Sequence, residues 1–431
     1  MDTEQRPPPR IVIERIQPEL DGGVFPVKRI QGDLLEVTAD LLRDGHDRIA
    51  AALRVRQFGE PWARVPFRFL ENDRWVGRVR LGRVGRALFA IEAWTDRFGS
   101  WCEETAKKRA AGLGLSLELQ EGYALVEAAA ARSQGGLRAR LEGCLQRLRE
   151  LEGDEAARGD LLLSRRVGLW MGLAPDKSDA VLSPERMVTV DRPAARFSAW
   201  YEMFPRSQGS DPARSATLAD CRARFSEVRA LGFDVVYFVP IHPIGEVNRK
   251  GANNGPRAAS DDPGCPYAVG SRAGGHTAID PALGSLEDFR LLVEDARRRG
   301  LEIALDFAVQ CAPDHPWVRE HPRWFRRRPD GSIKYAENPP KKYEDIVNVE
   351  FDQPDWRELW EALRAAVLFW VNEGVRIFRV DNPHTKPAAF WRWLIDEVQR
   401  DHPDVLFLAE AFTRPKMMRL LAKEGFSQSY T

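Results

Sequence analysis

The chain lacks net charge. Its 431 residues carry 64 basic and 64 acidic side chains. That balance provides no field to draw it to nucleic acid or to an anionic membrane. No apolar run approaches the roughly 20 residues that span a bilayer. The opening stretch "MDTEQRPPPR" is polar and proline-rich and lacks the apolar core of a secretion signal. Cysteine is scarce and odd in number: Cys102, Cys144, Cys221, Cys265 and Cys311 are widely spaced, with no CxxC pair and no Cys/His spacing that suggests zinc. They read as free thiols in a reducing cytosol, so a cytoplasmic protein is expected. No GxGxxG follows a predicted strand, which disfavours a dinucleotide fold, and no internal repeat is present. Tryptophan, by contrast, is plentiful at 13 residues. Flat aromatic faces of that kind line sugar-binding clefts, which makes them a first hint.

Three regions follow from periodicity. Residues 1–100 read as a β-sandwich. "WARVPFRFLENDRWVGRVRL" alternates apolar and polar residues about a turn at Asn72-Asp73. Residues 101–185 read as two or three Ala/Leu/Glu/Arg-rich helices interrupted at Gly135-Gly136, then a linker in "LAPDKSDAVLSPERMVTVDRP". From 186 to 431, helices alternate with short apolar strands: "FSAWYEMFP", "DVVYFVP", "LEIALDFAV", "VRIFRVD" and "VLFLAEAF". Continuously apolar strands separated by helices predict a buried parallel sheet. The expected fold class is therefore α/β, with an incomplete (β/α)8-type barrel of about five strands behind the N-terminal sandwich and helical segment. Long loops are predicted at 241–285 and 310–354, where strands hand over to a barrel's active site.

Three of these strands end on a carboxylate. Asp306 closes the third, Asp381 the fourth and Glu410 the fifth. Two carboxylates flanking one bond can cleave a glycosidic linkage, one attacking the anomeric carbon and one protonating the leaving oxygen. Arg379 lies two residues before Asp381 and so faces the same side of the strand. A fixed cation there lowers the aspartate's pKa and keeps it ionised. Each carboxylate alone also reads as an ordinary cap or turn residue.

"FRVD" followed by "AE" resembles two signature regions of the α-amylase superfamily, glycoside hydrolase family 13. Within it, "WYEMFPRS", "VPIHPIGEVNRKGANN", "ALDFAVQCAPDHPWV", "AENPPKKYEDIVN", "RVDNPHTKP" and "LAEAFTRPKMM" resemble the maltosyltransferases that extend α-1,4-glucan from α-maltose 1-phosphate. Gln310-Cys311 stands where amylases carry an Asn-His pair, which argues against a generic starch hydrolase. The resemblance implies Asp381 as nucleophile and Glu410 as general acid/base. It also implies a phosphate site drawn from Lys250, Gln310, Asn338, Lys341, Tyr343 and Asn382. Ammonium groups with amide and phenol donors suit a phosphate dianion, although each of these residues also reads as a solvated loop side chain, and one of the adjacent Lys341 and Lys342 is expected to face away. The donor, a glucan acceptor and a homodimer are the implied partners; no metal and no organic cofactor are called for. "GFSQSYT" reads as the start of a sixth strand. The superfamily carries further barrel units beyond it, with a third catalytic carboxylate and a C-terminal β domain, so the chain is expected to be a truncated form, inactive alone. The alternatives are an α-glucan hydrolase or a trehalose-forming isomerase on the same fold, or a remnant that only binds glucan or oligomerises.

Overall fold

The computed structural model describes residues 8–211 and 214–431. The chain divides into two compact units, one of residues up to Gly82 with Arg86–Thr189, the other of Arg83–Gly85 with Val190–Thr431.

The first unit is built on strands β1 (Ile11–Gln17), β2 (Val27–Ile30), β3 (Leu34–Arg43), β4 (Ile49–Gln57), β5 (Ala63–Glu71), β6 (Arg74–Arg80), β7 (Gly85–Thr95), β8 (Val181–Leu182) and β9 (Arg186–Asp191). They join edge to edge in the order β1-β3-β6-β5-β4-β7-β9-β2, with β8 on β7. In β3, Leu35, Val37, Ala39 and Leu41 are buried while their neighbours face outward, the period-2 signature of a one-sided sheet. Asn72 and Asp73 both take positive φ, 44° and 58°. They close the β5–β6 hairpin, because a two-residue turn with left-handed backbone matches the twist of the strands it joins.

Five helices follow: α1 (Arg97–Ala110), α2 (Ser116–Arg132), α3 (Gly135–Glu150), α4 (Glu155–Leu162) and α5 (Arg165–Leu173), more than the two or three expected. Side-chain caps at Asp96, Asp154 and Ser164 start α1, α4 and α5 and split the helical sequence at points where composition alone reads as continuous. The expected linker also changes character. Its residues form β8 and β9, whose partners lie far upstream in β7 and β2; long-range pairing of this kind leaves no local periodicity to read.

The second unit contains β10 (Trp200–Met203), α6 (Leu218–Ala223), α7 (Phe225–Ala230), β11 (Val235–Phe238), α8 (Leu286–Arg298), β12 (Glu302–Phe307), α9 (Pro316–Glu320), β13 (Tyr335–Asn338), β14 (Lys341–Val347), α10 (Trp356–Asn372), β15 (Ile377–Val380), α11 (Ala388–Asp401), β16 (Leu406–Glu410), α12 (Pro415–Lys423) and β17 (Gln428–Tyr430). Strands β10-β11-β12-β15-β16-β17 form one parallel sheet in chain order. All four residues of β11 and of β15 are buried, as strands covered on both faces require. Helix α10 buries Leu359, Leu363, Val367 and Trp370, spacings that place them on one face. Thr217 and Ser285 form reciprocal capping boxes with Asp220 and Asp288 that begin α6 and α8.

Two expectations need correction. The helical segment between the first two of the alternating strands breaks at Arg224 into α6 and α7. The long loop of 310–354 contains α9 and an antiparallel hairpin, β13–β14. Part of the tryptophan surplus serves packing: Trp94, Trp101, Trp324, Trp370 and Trp391 are buried.

Candidate active site

Strand register sets the site. Asp306 on β12 lies directly beside Arg379 on β15, and Glu410 on β16 beside Tyr430 on β17. Parallel pairing in register therefore delivers three carboxylates to one end of the sheet. Arg379, with its side chain 5% exposed, donates from Nη1 to Asp306 Oδ2 at 2.7 Å and to Asp381 Oδ1 at 3.0 Å; its Nη2 pairs with Glu410. Its Nε donates to the Tyr430 hydroxyl at 3.0 Å. One planar guanidinium thus holds groups from four adjacent strands, a task that needs the fixed fork of arginine. Arg379, Tyr237 and Tyr430 line a cleft of about 470 Å³ together with Trp200 and Glu202.

The three acids differ in ionisation. Burial pushes Asp306 up to about 7; Arg379 opposes this, Asp381 adds to it, and Tyr237 and Tyr267 donate hydroxyl hydrogen bonds to Oδ2. Burial also disfavours charge on Asp381, but Lys386, the Gln310 amide and Arg379 outweigh it and leave Asp381 below the usual carboxylate range. Lys386, not Arg379, is the first of these opposing influences. Glu410 moves the other way, raised by burial against the pull of Arg379 and raised further by a hydrogen bond to Asp381. Two carboxyl groups joined by such a bond share a proton, and it resides on the one whose pKa is raised. Glu410 is the carboxyl shifted toward holding a proton and Asp381 the one shifted toward ionisation. Sets of titratable groups pushed apart in this way divide acid from base chemistry.

The backbone is strained at the same point. Asn382 adopts φ 43° and ψ 55°, a left-handed conformation that asparagine tolerates better than most residues. It directs its backbone N–H to Glu410 Oε2 at 3.3 Å and its amide nitrogen to Asp381 Oδ1 at 3.3 Å. Gln310 Nε2 donates to Asp381 Oδ2 at 3.0 Å.

Of the residues singled out in the sequence, Asp381, Glu410, Arg379, Gln310 and Asn382 therefore meet. Lys250 is buried in the segment after β11. Tyr343 packs against Ile244, Ala268, Ala312 and Ile346. Asn338 and Lys341 are register partners at the exposed tip of the β13–β14 hairpin, and neither bonds to a carboxylate of the cluster. Lys342 is exposed there too. Sequence reasoning missed Lys386, whose ammonium lies 3.4 Å from the carbonyl oxygens of Asp381 and Asn382. It also missed Tyr237, Tyr267 and Tyr430. A lysine five positions after the strand end was visible; its turn back toward the strand was not.

A group suited to a metal also emerges: among the described residues, His276, Cys311 and His315 bring ligand atoms within 4.8 Å of one another. The hydrogen bonds oppose coordination. The Trp317 N–H donates to His315 Nδ1 at 3.0 Å, so Nε2 carries the proton of the neutral ring. His315 Nε2 then donates to His276 Nδ1 at 3.1 Å, and His276 Nε2 donates to the Ala308 carbonyl at 2.8 Å. A metal on His315 Nε2 would displace that proton and leave a buried imidazolate. Burial pushes His315 down to about 3 and His276 well below its usual value, which keeps this chain neutral. It ties the segment around residue 276 to Ala308, two residues from Gln310. Gly270 permits the approach: at φ +98°, a Cβ there would fall 2.0 Å from the His315 ring.

Comparison with known proteins agrees with the geometry. The family described as alpha-1,4-glucan:maltose-1-phosphate maltosyltransferase, domain N/S, matches residues 9–192. A protein of that name from Cereibacter sphaeroides is 51% identical over 429 residues, covering 98% of this chain and 71% of the relative. The chain belongs to the α-1,4-glucan:maltose-1-phosphate maltosyltransferase family. A second maltosyltransferase, from Rhodospirillum rubrum, is 52% identical over 436 residues, covering 98% of this chain and 63% of the relative. A third, from Pseudomonas aeruginosa, is 50% identical over 425 residues, covering 98% and 64%. The chain thus spans about 63% of the length of the first of these maltosyltransferases by identity, the Rhodospirillum one. Among the described residues, no helix is long and apolar enough to cross a membrane, and all five cysteines are free.

Proposed function

We propose that this maltosyltransferase-family chain supplies the nucleophile and the acid/base of a retaining transfer of maltose from α-maltose 1-phosphate to the non-reducing end of α-1,4-glucan, with release of phosphate. The parallel sheet is then the first part of a (β/α)8 barrel. The observation that carries the reading is the convergence of Asp381 and Glu410 on Arg379, with their pKa values moved in opposite directions.

Asp381 is ionised and has two amide donors to orient it, Gln310 and Asn382. It attacks the anomeric carbon as the bond to the phosphate oxygen breaks. Glu410 supplies a proton to the departing phosphate as needed, and Lys250 with the neutral donors takes its charge. Glu410, now a carboxylate, removes the proton from the acceptor's 4-hydroxyl as that oxygen displaces Asp381. Two inversions give retention. Bound acceptor outcompetes water through positioning, for which effective molarities of about 10⁵ M or more are available. Asn338, Lys341 and Tyr343 complete the phosphate site, and the hairpin that carries two of them at its tip closes toward the donor. A homodimer in a reducing cytosol is the setting that the family resemblance and the free thiols support.

The test is phosphate release from α-maltose 1-phosphate with maltooligosaccharide, using the intact protein. Asp381→Ala should abolish it, whereas Lys250→Met should raise KM for the donor. Undiminished release by Asp381→Ala would sink the assignment. A hydrolase or an isomerase would instead act on unphosphorylated glucan and ignore Lys250→Met.

A further inference from the structure

Asp345 on β14 is 2% exposed, and its Oδ1 has no hydrogen-bond partner. A buried carboxylate oxygen without a donor is costly and calls for a reason. The cation whose charge acts on it is Lys250, itself 9% exposed. The segment carrying Lys250 is fastened to β14 beside this carboxylate: Asn248 Nδ2 donates to the Glu344 carbonyl at 3.1 Å, and Ile244 packs with Ile346 and Tyr343. The other charged or titratable groups facing Asp345 are Glu344, which repels it, and Cys265, which feels both Asp345 and Asp381. Lys250 and Asp345 attract one another, yet no ion pair within 4.0 Å joins them. The ammonium has a counter-charge nearby without spending its N–H donors on it.

We infer that Asp345 is the resident counter-charge of Lys250 and competes with phosphate for it, weakening the site's hold so that the released phosphate can leave. This rests on the reading of Lys250 as a phosphate ligand. A phosphate dianion that approaches Lys250 also approaches a buried carboxylate, and like charges placed together cost affinity. Burial already raises Asp345 despite the pull of Lys250. An added dianion raises it further, so phosphate binding is linked to proton uptake at Asp345.

The experiment is calorimetric titration of the intact protein with inorganic phosphate from pH 6 to 8.5. Asp345→Asn keeps the shape and removes the charge. It should tighten phosphate about five- to tenfold at pH 8, with a smaller advantage at lower pH. Phosphate's own second proton also weakens the repulsion toward pH 6, so the ratio at pH 8 carries the test. Asp345→Ser should change affinity in the same direction, and unfolding midpoints verify that both variants are folded. Lys250→Met should lose at least tenfold in phosphate affinity. If Asp345→Asn binds phosphate no more tightly while Lys250→Met loses it, the competition is refuted and the Lys250 reading stands. If Lys250→Met binds phosphate as well as wild type, the Lys250 reading fails and takes this inference with it.

Discussion

Replacing Arg379 with methionine tests the electrostatic centre of the site. The guanidinium is the one cation bonded to Asp306, Asp381 and Glu410 together, and its side chain is 5% exposed. Charge-assisted bonds contribute roughly 1.5–3 kcal/mol each, but they do not add, because carboxylates that lose their cation take up protons instead. The cost of breaking a buried pair, about 3–5 kcal/mol, is the better guide. For a unit of this size that corresponds to a fall in Tm of roughly 6–20 °C. The loss must depend on pH. Without Arg379 the folded-state pKa of Asp306 and of Glu410, both already raised by burial, climbs further above its unfolded value, so the folded protein binds extra protons. Stability is then lost as pH climbs through the raised pKa values and regained as pH falls. Asp306, already pushed up to about 7 with Arg379 in place, contributes most. Thermal unfolding at pH 5.5 and pH 8 should show the larger deficit at pH 8. Arg379→Lys should recover part of it, since an ammonium keeps the charge but cannot span all the partners. A deficit below about 1 kcal/mol, or one equal at both pH values, would refute the view of Arg379 as the shared counter-ion.

Lys386→Met removes the first influence opposing the effect of burial on Asp381; the acid limb of kcat/KM should move to higher pH, and an unmoved limb would exclude Lys386 from that role. Gly270→Ala places a Cβ against the His315 ring at a positive φ and should cost more than about 2 kcal/mol by chemical denaturation. The histidines provide a separate acid signature. Burial holds His315 at about 3 and His242 at about 4, against an ordinary 6.5, so their contribution is complete above pH 6.5 and is lost as pH falls toward those values. His315→Gln should flatten the decline in unfolding midpoint between pH 6.5 and 4, and a decline as steep as wild type would show that other groups cause it.

The sequence by itself determined the alternation of strands and helices, the placement of Asp306, Asp381 and Glu410 at strand ends, and Arg379 on the same side as Asp381. These are consequences of local periodicity: side chains repeat every two residues along a strand, and apolar runs declare burial. The turn at Asn72-Asp73 was legible for the same reason. Tertiary structure alone decided that the supposed linker becomes β8 and β9, that a hairpin occupies the long loop, and that Lys386 turns back on Asp381. It also decided in which direction each carboxyl's pKa moves. Asp306, Asp381 and Glu410 are indistinguishable as letters, and their pKa values separate only because burial and neighbouring charges differ at each. His276 lies too far from Cys311 and His315 in the chain to suggest a cluster, and even once assembled the three are kept from binding metal by the direction of their hydrogen bonds. Periodicity is written along one dimension, whereas ionisation depends on what surrounds a group in three.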